Sequence, residues 1–196
     1  NYLKYIMLII SQNASNYGIP FPDETIYRIN LAWVNSIKEL EILLQKHQNQ
    51  NIFLDLPKGR VKPPNNRYTL EDLFSILNSY KNIKYFAVSN VNSAEDLKLY
   101  IKVIPTEINI VPKIESPVAV LNIENIVNAI PNDKKIIMLD HDDLYSNLIK
   151  NNESSSKFTE YITTLKEFCE KNSVVLLRTI GVIFSDEEKR TTQYIK

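Results

Sequence analysis

Two short apolar stretches of this chain each end abruptly in charged residues. The first, INIVPKIES at 108–116, carries Lys113 and Glu115, and the second, IIMLDHDDL at 136–144, carries Asp143. An apolar run that stops at charged residues is typical of a buried parallel strand whose carboxyl end opens into a site. A carboxylate from each strand end, with a lysine beside one of them, could hold a hard divalent cation next to an anionic substrate. Solvated loop charges would give the same pattern.

Strand geometry predicts how these charges are shared between the two faces of the sheet. Side chains alternate along a strand, so Lys113 and Glu115 should lie on one face. Read as a strand in the same way, the second stretch puts His141 and Asp143 on one face and Asp140 with Asp142 on the other. On this interpretation, Asp140 and Asp143 point in opposite directions.

The composition excludes several classes of protein. The 196 residues are enough for one domain with a substantial core, and 23 basic residues balance 23 acidic ones. We therefore expect a single domain over 1–196, with no nucleic-acid partner. A lone Cys169 excludes a disulfide framework or a cysteine-rich zinc site. No apolar run approaches the roughly 20 residues that span a bilayer, so we predict a cytoplasmic protein with no membrane partner.

Apolar runs and amphipathic segments alternate along the whole chain. The predicted strands are 5–10, 25–31, 52–56, 84–89, 108–114, 135–139 and 174–177. The predicted helices begin at Ser36, Thr69, Ser93, Pro117 and Phe158. The first of these helices ends near His47, which we expect to be solvated. Seven such strands predict a parallel sheet covered by helices, but the pattern does not separate an open doubly wound sheet from a (β/α) barrel.

A series of short segments, in order along the chain, carries a resemblance to a known family. The segments are YIMLIISQNAS at 5–15, RIN at 28–30, LDL at 54–56, AVSNVNSAED at 87–96, KIE at 113–115, LNIENI at 121–126, MLDHDDL at 138–144 and Thr179. Over nearly all of its length the chain resembles the barrel domain of pyruvate kinase. The resemblance implies an α/β fold of the TIM-barrel type, with parallel strands and possibly incomplete at about seven strands.

The resemblance also implies roles for individual residues. Glu115 and Asp143 would be ligands of Mg²⁺ or Mn²⁺ and would meet the oxygens of enolpyruvate. Lys113 would stabilise charge on the transferring phosphoryl group and on the enolate oxygen, and Arg28 would contact the phosphate. Thr179 would contact the substrate carboxylate or orient a proton-donating water.

A monovalent-cation site is implied as well, in an eroded form. Asn30 and Asp55 would belong to this K⁺ site. Ala32 and Trp33 stand where the family has serine and histidine, so the site lacks part of the family's pattern.

The chain also differs from the pyruvate kinase pattern in the segments that would surround these charged residues. Asp142 stands at a glycine of the family, where its charge would lie near backbone amides that bind the substrate carboxylate. The family's lid domain is missing, because only about ten residues join Lys58 to the helix at Thr69. The family's eighth strand and C-terminal domain are also missing. We therefore expect a terminal segment or a second copy of the chain, as a homo-oligomer, to close the barrel edge, unless the chain is a fragment of a longer protein.

Three functions remain open on the sequence. The first is phosphoryl transfer involving phosphoenolpyruvate and pyruvate. The second is a lyase of the HpcH/HpaI or citrate-lyase-β kind, which forms the same pyruvate enolate by cleaving a C–C bond and needs no nucleotide lid. The third is a degenerate, non-catalytic homologue that acts as a binding or structural module. In the first two, the partner is a small 2-oxo acid or enolpyruvate.

Overall fold

The fold is a seven-stranded parallel α/β sheet. The computed structural model describes residues 7–12, 21–58 and 68–179. The strands are β1 Ile9–Ser11, β2 Ile26–Asn30, β3 Ile52–Leu56, β4 Ile83–Val88, β5 Asn109–Ile114, β6 Ile136–Leu139 and β7 Val175–Arg178. They lie side by side in chain order, and every pair is parallel. The predicted strands two to seven agree with the observed ones within one residue at each end.

The predicted barrel is wrong. Within the described residues, β1 pairs only with β2 and β7 pairs only with β6, so the sheet is an open, curled half-barrel. A barrel closes only when its first and last strands are joined by backbone hydrogen bonds, and β1 and β7 form no such ladder. The βα period is the same for open and closed sheets, and the resemblance alone had favoured closure. The first predicted strand, 5–10, begins outside the described residues, and β1 runs from Ile9 to Ser11.

Seven α-helices connect the strands of the described part. They are α1 Ile37–Lys46, α2 Phe74–Ser79, α3 Lys98–Val103, α4 Pro117–Leu121, α5 Ile123–Ala129, α6 His141–Lys150 and α7 Lys157–Lys171. The Ser36 hydroxyl caps α1 by accepting from the backbone N–H of Glu39 at 3.1 Å, as the sequence predicts. Helix α6 was not predicted. None of the helices in the described ranges is long and apolar enough to span a bilayer.

The two faces of the sheet bury different sets of residues. Residues such as Ile29, Leu54 and Phe86 point outward and pack under the helices in the larger core. The alternating positions point to the concave face, where a smaller apolar layer forms from Ile26, Phe53, Ala87, Val111, Ile136 and Met138. This division follows from the two-residue period of a strand.

One step further along the strands, the concave face changes from apolar to charged. Two residues beyond Ile26, Phe53, Val111 and Met138 stand Arg28, Asp55, Lys113 and Asp140, respectively. Because the strands are parallel, their carboxyl ends lie at one edge of the sheet and these side chains converge there, although the strands are staggered so that Arg28 pairs with Phe53 and Lys113 with Met138. The fold therefore gathers charges at the carboxyl ends of the strands.

His47 is buried, contrary to the prediction of a solvated residue. It follows α1 directly, is 5% exposed, and stacks on Tyr27 with ring centroids 4.3 Å apart. Its backbone carbonyl accepts hydrogen bonds from Gln50 N–H and from the Asn82 side chain, which turn the chain inward. Burial lowers the pKa of His47 below its ordinary value, although a side-chain hydrogen bond involving Gln50 partly opposes this shift.

This burial makes stability depend on pH in a defined direction. Because the pKa of His47 is lower in the folded protein, the unfolded chain binds more protons as the pH falls. The contribution of neutral, buried His47 to the free energy of unfolding is therefore complete above the ordinary histidine pKa. It is lost as the pH falls through the pKa of the folded state. We expect His47→Phe, which keeps an aromatic ring on Tyr27, to lose less thermal stability than the parent protein between about pH 7.5 and about pH 5.5. Equal losses, measured by calorimetry, would contradict this assignment.

Candidate functional site

A polar cleft of about 420 Å³ opens at the carboxyl ends of the strands. Strand β2 contributes Arg28 and Asn30, β3 contributes Asp55, and β5 contributes Lys113 with Glu115 directly after it. The side chains face the cleft because their strand positions alternate with those that pack under the helices. The cleft is the charged continuation of the concave apolar layer.

Asp55 is the most deeply buried charge in the cleft, with 0% exposure. Its Oδ2 accepts hydrogen bonds from Arg28 Nη2 at 2.5 Å and Nε at 3.0 Å. The ammonium of Lys113 lies 3.8 Å from the same oxygen. Within the described residues, Asp55 Oδ1 is buried and has no hydrogen-bond partner. One carboxylate therefore compensates two cations while keeping an acceptor oxygen unused.

Lys113 lies among three carboxylates. Its Nζ is 2.9 Å from Glu115 Oε1 and 3.9 Å from Asp140 Oδ2, in addition to its contact with Asp55. Burial by itself would lower the pKa of Lys113, but the negative charges of Asp55 and Glu115 outweigh it and raise the pKa above the ordinary lysine value. The side chain is therefore a permanent cation at neutral pH.

Glu115 is held in place from two neighbouring elements. Its Oε2 accepts a hydrogen bond from the backbone N–H of Asn90 at 2.6 Å, and its carbonyl accepts one from Asn147 Nδ2 at 2.7 Å. Asn90 has a positive φ of 55°, a conformation that asparagine tolerates better than most residues. Burial raises the pKa of Glu115, and the Lys113 ammonium and the Asn90 N–H oppose that rise.

Three carboxylates converge into a candidate metal centre. One oxygen each from Glu115, Asp140 and Asp143 lies within 4.8 Å of the others. Asp140 caps α6, accepting from the backbone N–H of Asp143 at 3.2 Å. The prediction that Asp140 and Asp143 point in opposite directions is therefore wrong. Strand β6 ends at Leu139, and the chain then enters α6. In a helix, side chains three residues apart lie on the same side, as those of Asp140 and Asp143 do.

The predicted site residues fall into two groups. Arg28, Asn30, Asp55, Lys113, Glu115 and Asp143 line the cleft. Asp142 is exposed in the first turn of α6 and is not among the residues that line the cleft. Thr179 is likewise outside this set, and its hydroxyl lies 3.5 Å from the carbonyl of Leu139.

Asn30 lines the cleft, but its side-chain oxygen is already engaged. Asn30 Oδ1 accepts from the backbone N–H of Ala32 at 3.0 Å and caps the 3₁₀ turn at Leu31–Trp33. With Asp55 Oδ2 bound to Arg28, both residues of the predicted K⁺ site have bonds within the protein.

Sequence reasoning missed several cleft residues. The strand interpretation of 136–144 puts Asp140 on the wrong face. An aspartate with a second acidic residue three positions later is also typical of a helix N-cap, and that interpretation places Asp140 correctly. Asn90, Asn147, Lys58 and Lys150 also line the cleft. Asn147 and Lys150 lie on α6, whose buried Leu144 and Leu148 have the four-residue spacing of a helix, whereas Lys58 and Asn90 lie in loops, for which the sequence carries no periodic signal.

The sequence matches no protein-family model and no curated protein. The fold is similar to the crystal structure of RipC from Yersinia pestis, with a TM-score of 0.58 and 16% sequence identity. The similarity covers 96% of this chain and 84% of RipC. At this level of identity, the likeness concerns the fold alone.

The buried position of Asp55 leads to a stability prediction. Asp55→Asn removes the charge that compensates Arg28 and Lys113, and breaking a buried ion pair from one side costs about 3 kcal/mol or more. Urea denaturation should show this loss, whereas Asp23→Asn at an exposed turn should change stability by less than about 0.5 kcal/mol. A loss below about 1 kcal/mol for Asp55→Asn would show that Asp55 does not hold the two cations.

Proposed function

We propose that this protein is a divalent-metal-dependent enzyme that binds a 2-oxo acid of the pyruvate type and stabilises its enolate. The observation that carries the proposal is the convergence of Glu115, Asp140 and Asp143 beside the Lys113 ammonium in one cleft. An enolate carries its negative charge on oxygen, so it needs a metal ion or a fixed cation at that oxygen. The resemblance to pyruvate kinase drawn from the sequence supports the same chemistry.

The donor set fits a hard divalent cation. Carboxylate oxygens are the ligands that Mg²⁺, Mn²⁺ and Ca²⁺ prefer, and three of them lie within 4.8 Å of one another. Glu115 would enter as a ligand already oriented by the Asn90 N–H. A cation held there would supply Lewis-acid polarisation of the substrate's oxo group.

The charge state of Lys113 favours electrostatic stabilisation over covalent catalysis. A lysine that forms a Schiff base needs a lowered pKa, but the neighbouring carboxylates raise the pKa of Lys113. Its ammonium therefore acts as a fixed positive charge for the developing oxyanion. Arg28, paired with Asp55 at the edge of the cleft, would orient the carboxylate of the substrate.

Cleavage or formation of a C–C bond is the reaction class that we propose first. Only about ten residues join Lys58 to Thr69, which is too few for a lid domain that would exclude water from a phosphoryl transfer. Lyase chemistry through an enolate needs no nucleotide. Phosphoryl transfer is the second candidate, because the charged residues stand on the ends of β2, β3 and β5 in the order that the resemblance to pyruvate kinase implies.

The metal proposal predicts a thermal shift that depends on individual carboxylates. Mn²⁺ should raise the melting temperature of the parent protein, and the double variant Glu115→Gln with Asp143→Asn should abolish the rise. Asp140→Asn should weaken Mn²⁺ affinity by about tenfold or more, since losing a ligand costs at least as much as losing its outer support. Calorimetric titration with Mn²⁺ measures the change.

The neighbouring Asp142 provides a matched control. It has the same side chain and lies on the same helical turn as Asp143, but it is outside the cleft. Asp142→Asn should keep the Mn²⁺ affinity of the parent protein. Equal weakening by Asp140→Asn and Asp142→Asn would point to a diffuse field of negative charge, and a parent protein without any metal-dependent shift would refute the metal centre.

The enolate proposal predicts proton exchange at pyruvate. In D₂O with Mn²⁺, the protein should exchange the methyl protons of pyruvate for deuterium, as followed by proton NMR. Lys113→Met should slow this exchange by about 100-fold, the typical effect of losing one oxyanion-stabilising group. No exchange, together with formation of pyruvate from phosphoenolpyruvate and ADP, would select the phosphoryl-transfer candidate. Absence of both reactions would leave the non-catalytic module.

A further inference from the structure

One face of α6 forms a wall of the cleft. Asp143, Ser146, Asn147 and Lys150 all line it, at the three- and four-residue spacings that bring side chains to one side of a helix. The buried residues of the same helix, Leu144 and Leu148, hold it to the core. At 1.5 Å per residue, the backbone runs about 10 Å from Asp143 to Lys150. The cleft therefore has an inner end at the carboxylates and an outer end at Lys150.

Lys150 carries a charge that no protein group compensates within the described residues. It is exposed, and it forms no ion pair in residues 7–12, 21–58 and 68–179. A lysine in the last turn of a helix is favoured by the helix dipole, which explains its presence there. The dipole does not require the side chain to border the cleft, as this one does.

A second cation, Lys58, also borders the cleft. Lys58 follows β3, and its backbone carbonyl accepts a hydrogen bond from Asn90 Nδ2, which ties it to the loop that orients Glu115. The Lys58 ammonium interacts electrostatically with Asp96, which also accepts hydrogen bonds from Asn92 and Ser93, so Asp96 offsets part of the Lys58 charge.

The charges of the cleft are therefore separated along its length. All four lining carboxylates belong to the inner network with Arg28 and Lys113, which has a net charge of two minus. A divalent cation would neutralise that network. The rim of the cleft would keep the positive charge of Lys150 and the part of the Lys58 charge that Asp96 does not offset, a field that attracts anions.

We propose that Lys58 and Lys150 form a second anion-binding subsite, and that the natural substrate is a 2-oxo acid with a second anionic group. This inference rests on the proposed function, which assigns the reacting oxo acid to the inner end. The helix rise and the reach of a lysine side chain put the second group roughly 5–10 Å from the reacting carbons. A carboxylate and a phosphate share the required chemistry.

The test compares two ligands that differ only in their far end. 2-Oxohexanoate and 2-oxoadipate have the same chain length, and only the second carries a terminal carboxylate. With Mn²⁺-loaded protein at fixed ionic strength, calorimetry should show 2-oxoadipate binding about tenfold tighter or more, equivalent to about 1.4 kcal/mol. A phosphonate in place of the terminal carboxylate distinguishes the two sources: tighter binding than 2-oxoadipate indicates a phosphate, and weaker binding a carboxylate.

Lysine variants locate the preference. The dissociation constant of 2-oxohexanoate divided by that of 2-oxoadipate measures the preference. Lys58→Gln and Lys150→Gln should each reduce this ratio, and the double variant should bring it near one. Lys171→Gln, at the exposed end of α7, is the matched control and should leave the ratio unchanged.

The outcomes separate this inference from the function on which it rests. Equal affinity for 2-oxohexanoate and 2-oxoadipate would overturn the subsite alone. A preference that survives in the double variant would also overturn it. If neither ligand binds the metal-loaded protein, the proposed function falls and the subsite falls with it.

Discussion

The buried carboxylate of Asp55 is the interaction on which the rest of the cleft depends. It is fully removed from solvent, and it compensates both the guanidinium of Arg28 and the ammonium of Lys113. Lys113, held in this way, in turn compensates Glu115 and approaches Asp140. A buried charge without a partner costs several kcal/mol, so these groups are stable only together. The position of each cleft charge is therefore determined by its neighbours.

The sheet supports this network by separating apolar and charged layers on one face. The concave side carries Phe53, Val111 and Met138 in the lower layer and charged residues two positions further along each strand. The apolar layer keeps water away from the base of the cleft, which strengthens every electrostatic interaction above it. The two-residue period of each strand therefore puts the apolar layer and the charges beyond it on the same face of the sheet.

The proposed enolate chemistry requires a positive charge that is already in place in the cleft. Lys113, which lines the cleft, has a raised pKa, so its positive charge is present before an oxyanion forms. Lys58 and Lys150 also border the cleft, and Lys150 lies about two turns of α6 away from Asp143, which gives the cleft a direction. A ligand with two separated anionic ends complements that arrangement, whereas a compact monoanion leaves the outer end unused.

The sequence by itself determined the strands and the faces of their side chains, because apolar runs and the two-residue period are local properties. It placed Lys113 with Glu115, and the resemblance to a known family selected six of the fourteen residues that line the cleft. Tertiary structure alone decided that the sheet curls without β1 pairing with β7, because the βα pattern is the same in open and closed sheets. It also decided that Asp140 joins Asp143 and that His47 is buried. These outcomes depend on where β6 gives way to α6 and on how the end of α1 packs, and both are set by contacts between residues distant in the chain.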